Sequence, residues 1–244
     1  NVNYHIQQYI ETLGGSYQLQ GTLIAQGLTD SLVTPTPEVP QGFSENTTHP
    51  DRVISGIVAA DESLTLAFYY SRNTYQVTFE SNASLSIQSI SAKFEAPITK
   101  PVDPIRTGYL FQGWFSDSEL ENPYTFQSMP AGGIILYAKW AGEPTNLYFD
   151  SQGGSAVESI TAPLDDPITA PDDPTKPGYI FSGWYIESSV TTPFATWVMP
   201  SGGITLYAKW TPQNFTIAFD ENGGSLVADI IAPYASVISA PLQP

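Results

Sequence analysis

Apolar and polar residues alternate in short stretches along this chain, and the alternation returns at a fixed distance. Tyr75, Val77 and Phe79 are separated by polar residues, as expected for one face of a strand. A period of two predicts half-buried β-strands rather than helices. Strands of the same kind begin near Leu147 and near Phe215. The pattern therefore predicts a chain built mainly from strands.

Whole motifs repeat together with the strands. Gly-Gly-Ile-x-Leu-Tyr-Ala-Lys-Trp occurs at Gly132–Trp140 and again at Gly202–Trp210, seventy residues later. The same offset relates the two copies of Gly-Tyr-x-Phe-x-Gly-Trp, which begin at Gly108 and Gly178. A fixed period indicates duplicated structural units. Because units of this size bury only a modest share of their surface, each needs a compact, aromatic core.

The residues before the repeats form a module of their own. Alternation and turn signals predict strands at Val2–Tyr9, Tyr17–Ile24, Arg52–Val58 and Leu64–Tyr70, with at most one short helix near Gly27–Val33. In the repeats, proline-rich stretches follow the first strands and must run as extended connections. Because one short helix is allowed, the predicted fold class is β-rich α+β.

These patterns divide the chain into four modules: residues 1–73, 74–141, 145–211 and a partial copy at 214–244. The linkers are short and none is rich in glycine and serine, which predicts a semi-rigid, extended string of modules. The chain starts without a signal peptide and stops within a copy, so we expect it to be part of a longer protein.

The amino-acid composition excludes some classes of binding partner. There are 24 acidic residues against eight basic ones, for a net charge of −16. A chain without a basic patch is unsuited to nucleic acid or to anionic membranes. No apolar run approaches the roughly 20 residues of a membrane span, so we expect no membrane insertion. The absence of cysteine suits an exported bacterial protein that packing alone stabilises, and we expect a monomer without a cofactor.

Several groups could carry chemistry, although simpler roles explain each of them. His5 and His49 lack the spacing of metal ligands, and no catalytic triad, phosphate loop or carboxylate pair is supported. Acidic residues that flank prolines fit solvated turns, which leaves Ca²⁺ binding open. They are Asp165, Asp166, Asp172, Asp173 and Glu187.

Two lysines lie in apolar strands of the repeats. Lys139 and Lys209 could form isopeptide cross-links to asparagine, or could protect strand edges from aggregation. The second interpretation is preferred because fully buried lysine is rare.

The period separates residues that build each module from residues that distinguish one module from another. Recurring aromatic and aliphatic positions are predicted to form the repeat core. They are Phe79, Tyr109, Phe111, Trp114, Leu136 and Trp140 in one copy, and Phe149, Tyr179, Phe181, Trp184, Leu206 and Trp210 in the next. Trp197 stands where the preceding copy has Gln127, so Trp197 with Phe194 is the candidate contact patch.

The ordered motifs resemble the Listeria–Bacteroides repeat, the B-repeat of internalin-type surface proteins. The resemblance covers about Tyr75–Trp140 and Leu147–Trp210, with the start of another copy from Asn214. It implies β-grasp-like, ubiquitin-related modules in the stalk of a bacterial surface protein. Residues 80–85 depart from the pattern because the glycine pair of the first turn is missing there.

The first module resembles mucin-binding-type (MucBP) repeats, through Tyr4–Gln8, Gly15–Tyr17, Gly42-Phe43, Ser55-Gly56 and Leu64–Tyr70. This resemblance also implies a β-grasp-type fold. A ligand does not follow from it, because fold does not determine function.

The sequence predicts a non-enzymatic repeat region of a bacterial cell-surface protein. It would act as a stalk, with possible adhesive contacts to a host protein or glycan, and would be anchored to the cell wall through other regions. Two alternatives stay open: an adhesin whose binding site lies in residues 1–73, and an accessory region of a secreted enzyme.

Overall fold

The computed structural model describes residues 1–83 and 86–241. These residues form strands and turns and contain no helix. They divide into two compact units. The first comprises Asn1–Arg106 with Phe111–Trp140, and the second comprises Thr107–Leu110 with the chain from Ala141 onward. The predicted β-rich character is confirmed.

The first module is a mixed four-stranded sheet in the order β2-β1-β6-β4. β1 pairs in parallel with β6 at the centre, and the other pairs are antiparallel. A small separate pair joins β3 to β5. The strands are β1 Val2–Glu11, β2 Tyr17–Gly27, β3 Leu32–Val33, β4 Phe43–Glu45, β5 Gly56–Ile57 and β6 Thr65–Arg72.

Alternation decides which face of this sheet is buried. Tyr4 and Ile6 point into a core with Leu66, Phe68 and Tyr70. The helix that the sequence allowed near Gly27–Val33 is absent. The segment is instead the end of β2, a turn and β3, because the Asp30 and Ser31 backbones pair with Val58 on a neighbouring segment.

The two full repeat copies share one sheet topology. Their orders are β8-β7-β10-β9 and β12-β11-β14-β13, each with a parallel central pair. The strands of the first copy are β7 Thr74–Glu80, β8 Ile90–Lys93, β9 Tyr109–Phe115 and β10 Ile134–Gly142. Those of the next are β11 Pro144–Asp150, β12 Ile160–Pro163, β13 Tyr179–Tyr185 and β14 Ile204–Pro212. β15 Asn214–Ile217 and β16 Ile230–Pro233 form an antiparallel pair.

Parallel strands need a crossover connection, which is usually helical. Here the connections from β8 to β9 and from β12 to β13 are extended, since their prolines lack the N–H that a helix requires. The crossover is held by backbone hydrogen bonds, such as Ile98 N–H to the Gln127 carbonyl at 3.1 Å. The predicted α+β class is therefore not confirmed.

Each repeat core lies on one face of its sheet. Buried residues of the first copy include Val77, Trp114, Met129 and Leu136. Their counterparts in the second copy are Leu147, Trp184, Met199 and Leu206. The bulge that Gly183 creates between Phe181 and Trp184 shifts the strand register, and Trp184 lies in the core just beyond it.

The first turn of each copy begins in the same way. Asn82 and Gln152 both adopt positive φ, at 49° and 48°. The indole N–H of Trp140 donates to the Ser81 carbonyl at 2.7 Å, and that of Trp210 donates to the Ser151 carbonyl at 2.8 Å. The predicted difference between the turns falls largely at positions 84 and 85, which lie outside the described residues.

Candidate functional site

One residue in each linker makes the same hydrogen bond to a preceding glycine. The backbone N–H of Asn73 donates to the Gly42 carbonyl at 2.9 Å. Glu143 donates to Gly108 at 2.8 Å, and Gln213 donates to Gly178 at 2.8 Å. The linker positions recur every seventy residues although their side chains differ. The interaction depends on the backbone and is therefore independent of residue type.

The carbonyl of each linker residue accepts a second hydrogen bond. The donor is the backbone N–H of the residue that follows a short edge strand. These donors are Phe94 at 2.8 Å, Leu164 at 3.0 Å and Tyr234 at 2.6 Å. We call each set of glycine, linker residue and large apolar residue a linker clamp. The three clamps are Gly42/Asn73/Phe94, Gly108/Glu143/Leu164 and Gly178/Gln213/Tyr234.

The glycine of each clamp lies directly under the apolar side chain. Its φ is 83° at Gly42 and 80° at both Gly108 and Gly178, a conformation that other residues rarely adopt. A Cβ at any of these glycines would lie less than 3.0 Å from the facing side chain. The clamp therefore requires glycine for two independent reasons.

A tight turn presents the apolar residue. The residue after it has positive φ in every case: 62° at Glu95, 67° at Asp165 and 59° at Ala235. A backbone hydrogen bond closes each turn, as from Ala96 N–H to the Lys93 carbonyl at 2.9 Å. The turn makes the chain reverse immediately after the edge strand.

Charged side chains surround the first clamp. Arg72 donates from Nη1 to the Phe94 carbonyl at 2.9 Å and pairs with Glu95 at 2.6 Å. Its Nε donates to the Glu11 carbonyl at 2.8 Å. Lys93 Nζ lies 2.6 Å from Glu11 Oε1. These contacts connect the first module to the first repeat copy inside one compact unit.

Glu11 is the buried carboxylate of this cluster. Burial alone would raise its pKa, because a charge is poorly solvated there. The hydrogen bonds from Lys93 and the Arg72 backbone, together with both positive charges, outweigh burial and hold the pKa of Glu11 below its usual value. The carboxylate is therefore stabilised in its ionised form.

The other two clamps, both in the second unit, use a tyrosine from the adjacent strand. The hydroxyl of Tyr109 donates to the Asp165 carboxylate. Tyr179 contacts Tyr234 edge-to-face, with ring centroids 5.5 Å apart. Tyr109 and Tyr179 are two of the predicted repeat-core residues, and these contacts place the Tyr109 hydroxyl and the Tyr179 ring at the clamps.

The remaining predicted core residues lie in the hydrophobic clusters of the two copies. Trp114, Trp184, Leu136 and Leu206 are buried. The others are half-buried and pack around them. They are Phe79, Phe111, Trp140, Phe149, Phe181 and Trp210.

Trp197 and Phe194, the candidate contact patch, are half-buried against the core of the second copy. The Trp197 ring stacks on Phe149 with centroids 6.4 Å apart, as Phe126 stacks on Phe79 at 6.4 Å in the first copy. Trp197 therefore occupies the place of Phe126, one position later in the sequence. The stacking gives Trp197 a packing role in the second copy, and the contact role stays a prediction.

The other candidate groups are dispersed. His49 stacks on Tyr69 with centroids 3.6 Å apart, and Glu187 accepts a hydrogen bond from the Thr192 N–H at 3.1 Å. Lys139 donates to the Leu120 carbonyl at 3.2 Å. Within residues 1–83 and 86–241, no three His, Asp or Glu side chains are grouped as metal ligands would be. No helix capable of crossing a membrane occurs in the same part of the chain.

Sequence reasoning missed the clamps. A signal was present, because Phe94, Leu164 and Tyr234 recur at the seventy-residue offset and are all large and apolar. Their chemical type varies, however, so a search for identical residues passes over them. In the sequence, Gly108 and Gly178 stand out only as the first residues of a repeated strand motif.

The two full repeat copies coincide with a known repeat. The model of the Listeria-Bacteroides repeat domain matches residues 75–139 and 146–209, more than half of the chain. The chain belongs to the Listeria-Bacteroides repeat family. The resemblance of the first module to mucin-binding-type repeats is not confirmed by this match, which begins at residue 75.

Relatives of this chain are longer proteins. A "putative Gly-rich membrane protein" of Evansella cellulosilytica is 37% identical over 186 residues, which are 75% of this chain and 21% of the relative. Internalin H of Listeria monocytogenes is 29% identical over 200 residues, which are 80% of this chain and 34% of the relative. The chain thus spans about a fifth to a third of the length of these relatives.

Proposed function

We propose that this chain is a non-enzymatic spacer region of a bacterial cell-surface protein. The observation that carries the proposal is the linker clamp, which occurs three times with the same two backbone hydrogen bonds. A linker that is hydrogen-bonded on both sides and covered by an apolar side chain cannot rotate freely. Restricted linkers are what a protein needs if it is to hold another domain away from the cell.

We further propose that each full module is a β-grasp derivative in which an extended crossover replaces the helix. The sheet orders support this, since both copies have a central parallel pair, and in the second copy an antiparallel pair lies on each side of it. The first module has the same arrangement through β1 and β6. Residues 1–73, 74–141, 145–211 and 214–244 are the proposed module boundaries.

The surface location is proposed from the relatives. One is named an internalin and another is named a membrane protein. We propose that the whole protein is exported, with anchoring to the cell wall supplied by regions other than these modules. A low content of charged residues, 13%, and the absence of cysteine fit an exported chain that packing stabilises.

Small-angle scattering of the whole chain tests the spacer role. A compact chain of this length would have a radius of gyration of roughly 18 Å. We expect a clearly larger value and an elongated profile that does not change with protein concentration. A near-spherical profile would contradict the proposal.

A binding assay separates the spacer from an adhesin with its site in residues 1–73. A spacer is not retained on surfaces coated with mucin, glycans or matrix protein. Retention that disappears when residues 1–73 are deleted would favour the adhesin, provided that the repeat cores still melt as in the whole chain.

A further inference from the structure

The outer strand of the first module differs from its counterparts in the repeats. Among the described residues β2 pairs with β1 alone, and it is eleven residues long, whereas β8 and β12, at the same edge of their sheets, have four residues each. Short edge strands are one of the ways in which proteins prevent pairing with other chains. At this edge the repeats use this protection and the first module does not, although its opposite edge strand, β4, has only three residues.

β2 also lacks the other usual protections. Its eleven residues include no charged residue and no proline. Leu19, Leu23 and Ile24 are 47%, 50% and 68% exposed. A bulge at Gln20 interrupts the pairing, but Gly21–Gly27 continues in regular register with β1. A regular, exposed, apolar strand edge offers unpaired backbone groups to another strand.

The register assigns β2 side chains to two faces. Ile24 lies opposite His5, on the outer face of the sheet. Leu23 lies opposite the buried Ile6, on the core side. A strand added beside β2 would therefore meet an exposed isoleucine on one face and a leucine on the other.

A cavity of about 350 Å³ opens beside β2 on the core side. Leu23 and Val39 supply apolar walls, and Gln20 and Glu38 supply polar ones. The Gln8 amide donates to the Glu38 carbonyl at 3.2 Å and so holds this loop beside the sheet. A lining that combines apolar side chains with amides and one glutamate suits a long basic side chain, whose stem is apolar and whose end is cationic.

We propose that β2 is a docking edge for an extended segment of a partner protein. The segment adds a fifth strand to the sheet, places an apolar side chain beside Ile24 and inserts a lysine or arginine into the cavity near Glu38. Charge complementarity favours such a partner over a second copy, because the first module carries seven acidic and two basic residues. The inference places a binding edge in residues 17–27, within the part of the chain that the adhesin alternative invokes, and adds it to the spacer role of the repeats.

Blocked, fluorescein-labelled peptides test the proposal in solution with the whole chain. The probe is Thr-Val-Thr-Val-Lys-Val-Thr-Val-Thr, and its control has glutamate in place of lysine. We expect the lysine peptide to bind at least tenfold more tightly, as measured by fluorescence anisotropy. We also expect the β2 amides to exchange with deuterium more slowly in its presence, which binding through side chains alone would not produce.

Three variants locate the site. Ile24→Lys is expected to abolish binding, because a charge at the edge opposes strand addition. Val102→Lys makes the same kind of change at a residue that is 91% exposed elsewhere in the first unit, and should bind like the unaltered chain. Glu38→Gln is expected to weaken the lysine peptide about tenfold and to leave the glutamate peptide unchanged or slightly tighter. Thermal melting verifies that all three are folded.

Two outcomes would overturn the proposal. One is the absence of β2 protection with either peptide at any concentration that can be reached. The other is a concentration-dependent dimer in sedimentation equilibrium that Ile24→Lys abolishes, which would assign the edge to a second copy instead.

Discussion

The ring of Phe94 lies on the backbone of Gly42, where a Cβ would approach it to less than 3.0 Å. Phe94 also meets Phe43 edge-to-face, with centroids 5.7 Å apart. Leu164 on Gly108 and Tyr234 on Gly178 repeat the relationship with different side chains. What the three clamps share is therefore a backbone geometry and a requirement for bulk, without a requirement for one residue type.

Substitution of a clamp glycine should lower the free energy of unfolding by more than the strain of a positive φ does alone. Gly42→Ala adds both a strained positive φ and a clash with Phe94. Gly15→Ala is the matched control, since Gly15 has φ of 86° but nothing within 4 Å of an added Cβ. We expect the control to lose about 1 kcal/mol of unfolding free energy and Gly42→Ala to lose about 1–3 kcal/mol more. Equal losses in chemical denaturation would contradict the clamp.

Acid should weaken the first clamp through Glu11. Its pKa in the folded chain is below the ordinary value of 4.5, so its ionised form stabilises the fold above that pH. This contribution is lost as the pH falls through the folded-state pKa. We expect Glu11→Gln to lower the free energy of unfolding by about 1–3 kcal/mol at neutral pH, with a difference that shrinks below pH 4.5.

The control for this pH dependence is Glu158→Gln, an exposed carboxylate of the second unit. Because this side chain is exposed, the substitution should change the free energy of unfolding little. A constant difference between Glu11→Gln and the unaltered chain at every pH would show that the carboxylate charge does not act as described.

Trp197 should behave as a core residue of the second copy. Because it stacks on Phe149 as Phe126 stacks on Phe79, Trp197→Ala and Phe126→Ala should each lower the free energy of unfolding by about 2–4 kcal/mol. Gln127→Ala, at the position that aligns with Trp197 by sequence, should be nearly neutral. Thermal melting of the three variants checks this. A Trp197→Ala variant as stable as the unaltered chain would favour the contact role of Trp197 over a core role.

The lysines in the repeat strands should be chemically unmodified. Lys139 donates to the Leu120 carbonyl and lies 4.9 Å from the centre of the Phe115 ring. Lys209 lies 4.9 Å from the Tyr185 ring. These contacts account for both side chains without an isopeptide bond. Intact-mass measurement should therefore give the mass of the sequence, and a deficit of one ammonia would show a cross-link.

Much of the fold could be read from local patterns. Alternation predicted the strands at Tyr75–Phe79 and Leu147–Phe149, because side chains on a strand alternate between two faces whatever lies around them. The recurring tryptophans predicted the core because exposing a large aromatic side chain to water is unfavourable wherever it lies in the chain. The helix allowed near Gly27–Val33 failed because pairing with Val58 overrode a weak local preference.

The sequence by itself determined the strands, the period and the membership of a repeat family, since each follows from neighbouring residues or from identity at a fixed offset. Only the tertiary structure decided that Phe94 would meet Gly42, that Trp197 would take the place of Phe126, and that β2 would lie at an edge. These depend on contacts between residues distant in sequence and on the direction in which a backbone turn presents a side chain. Packing determines such contacts. Because it tolerates phenylalanine, leucine or tyrosine at one position, no single residue type marks that position in the sequence.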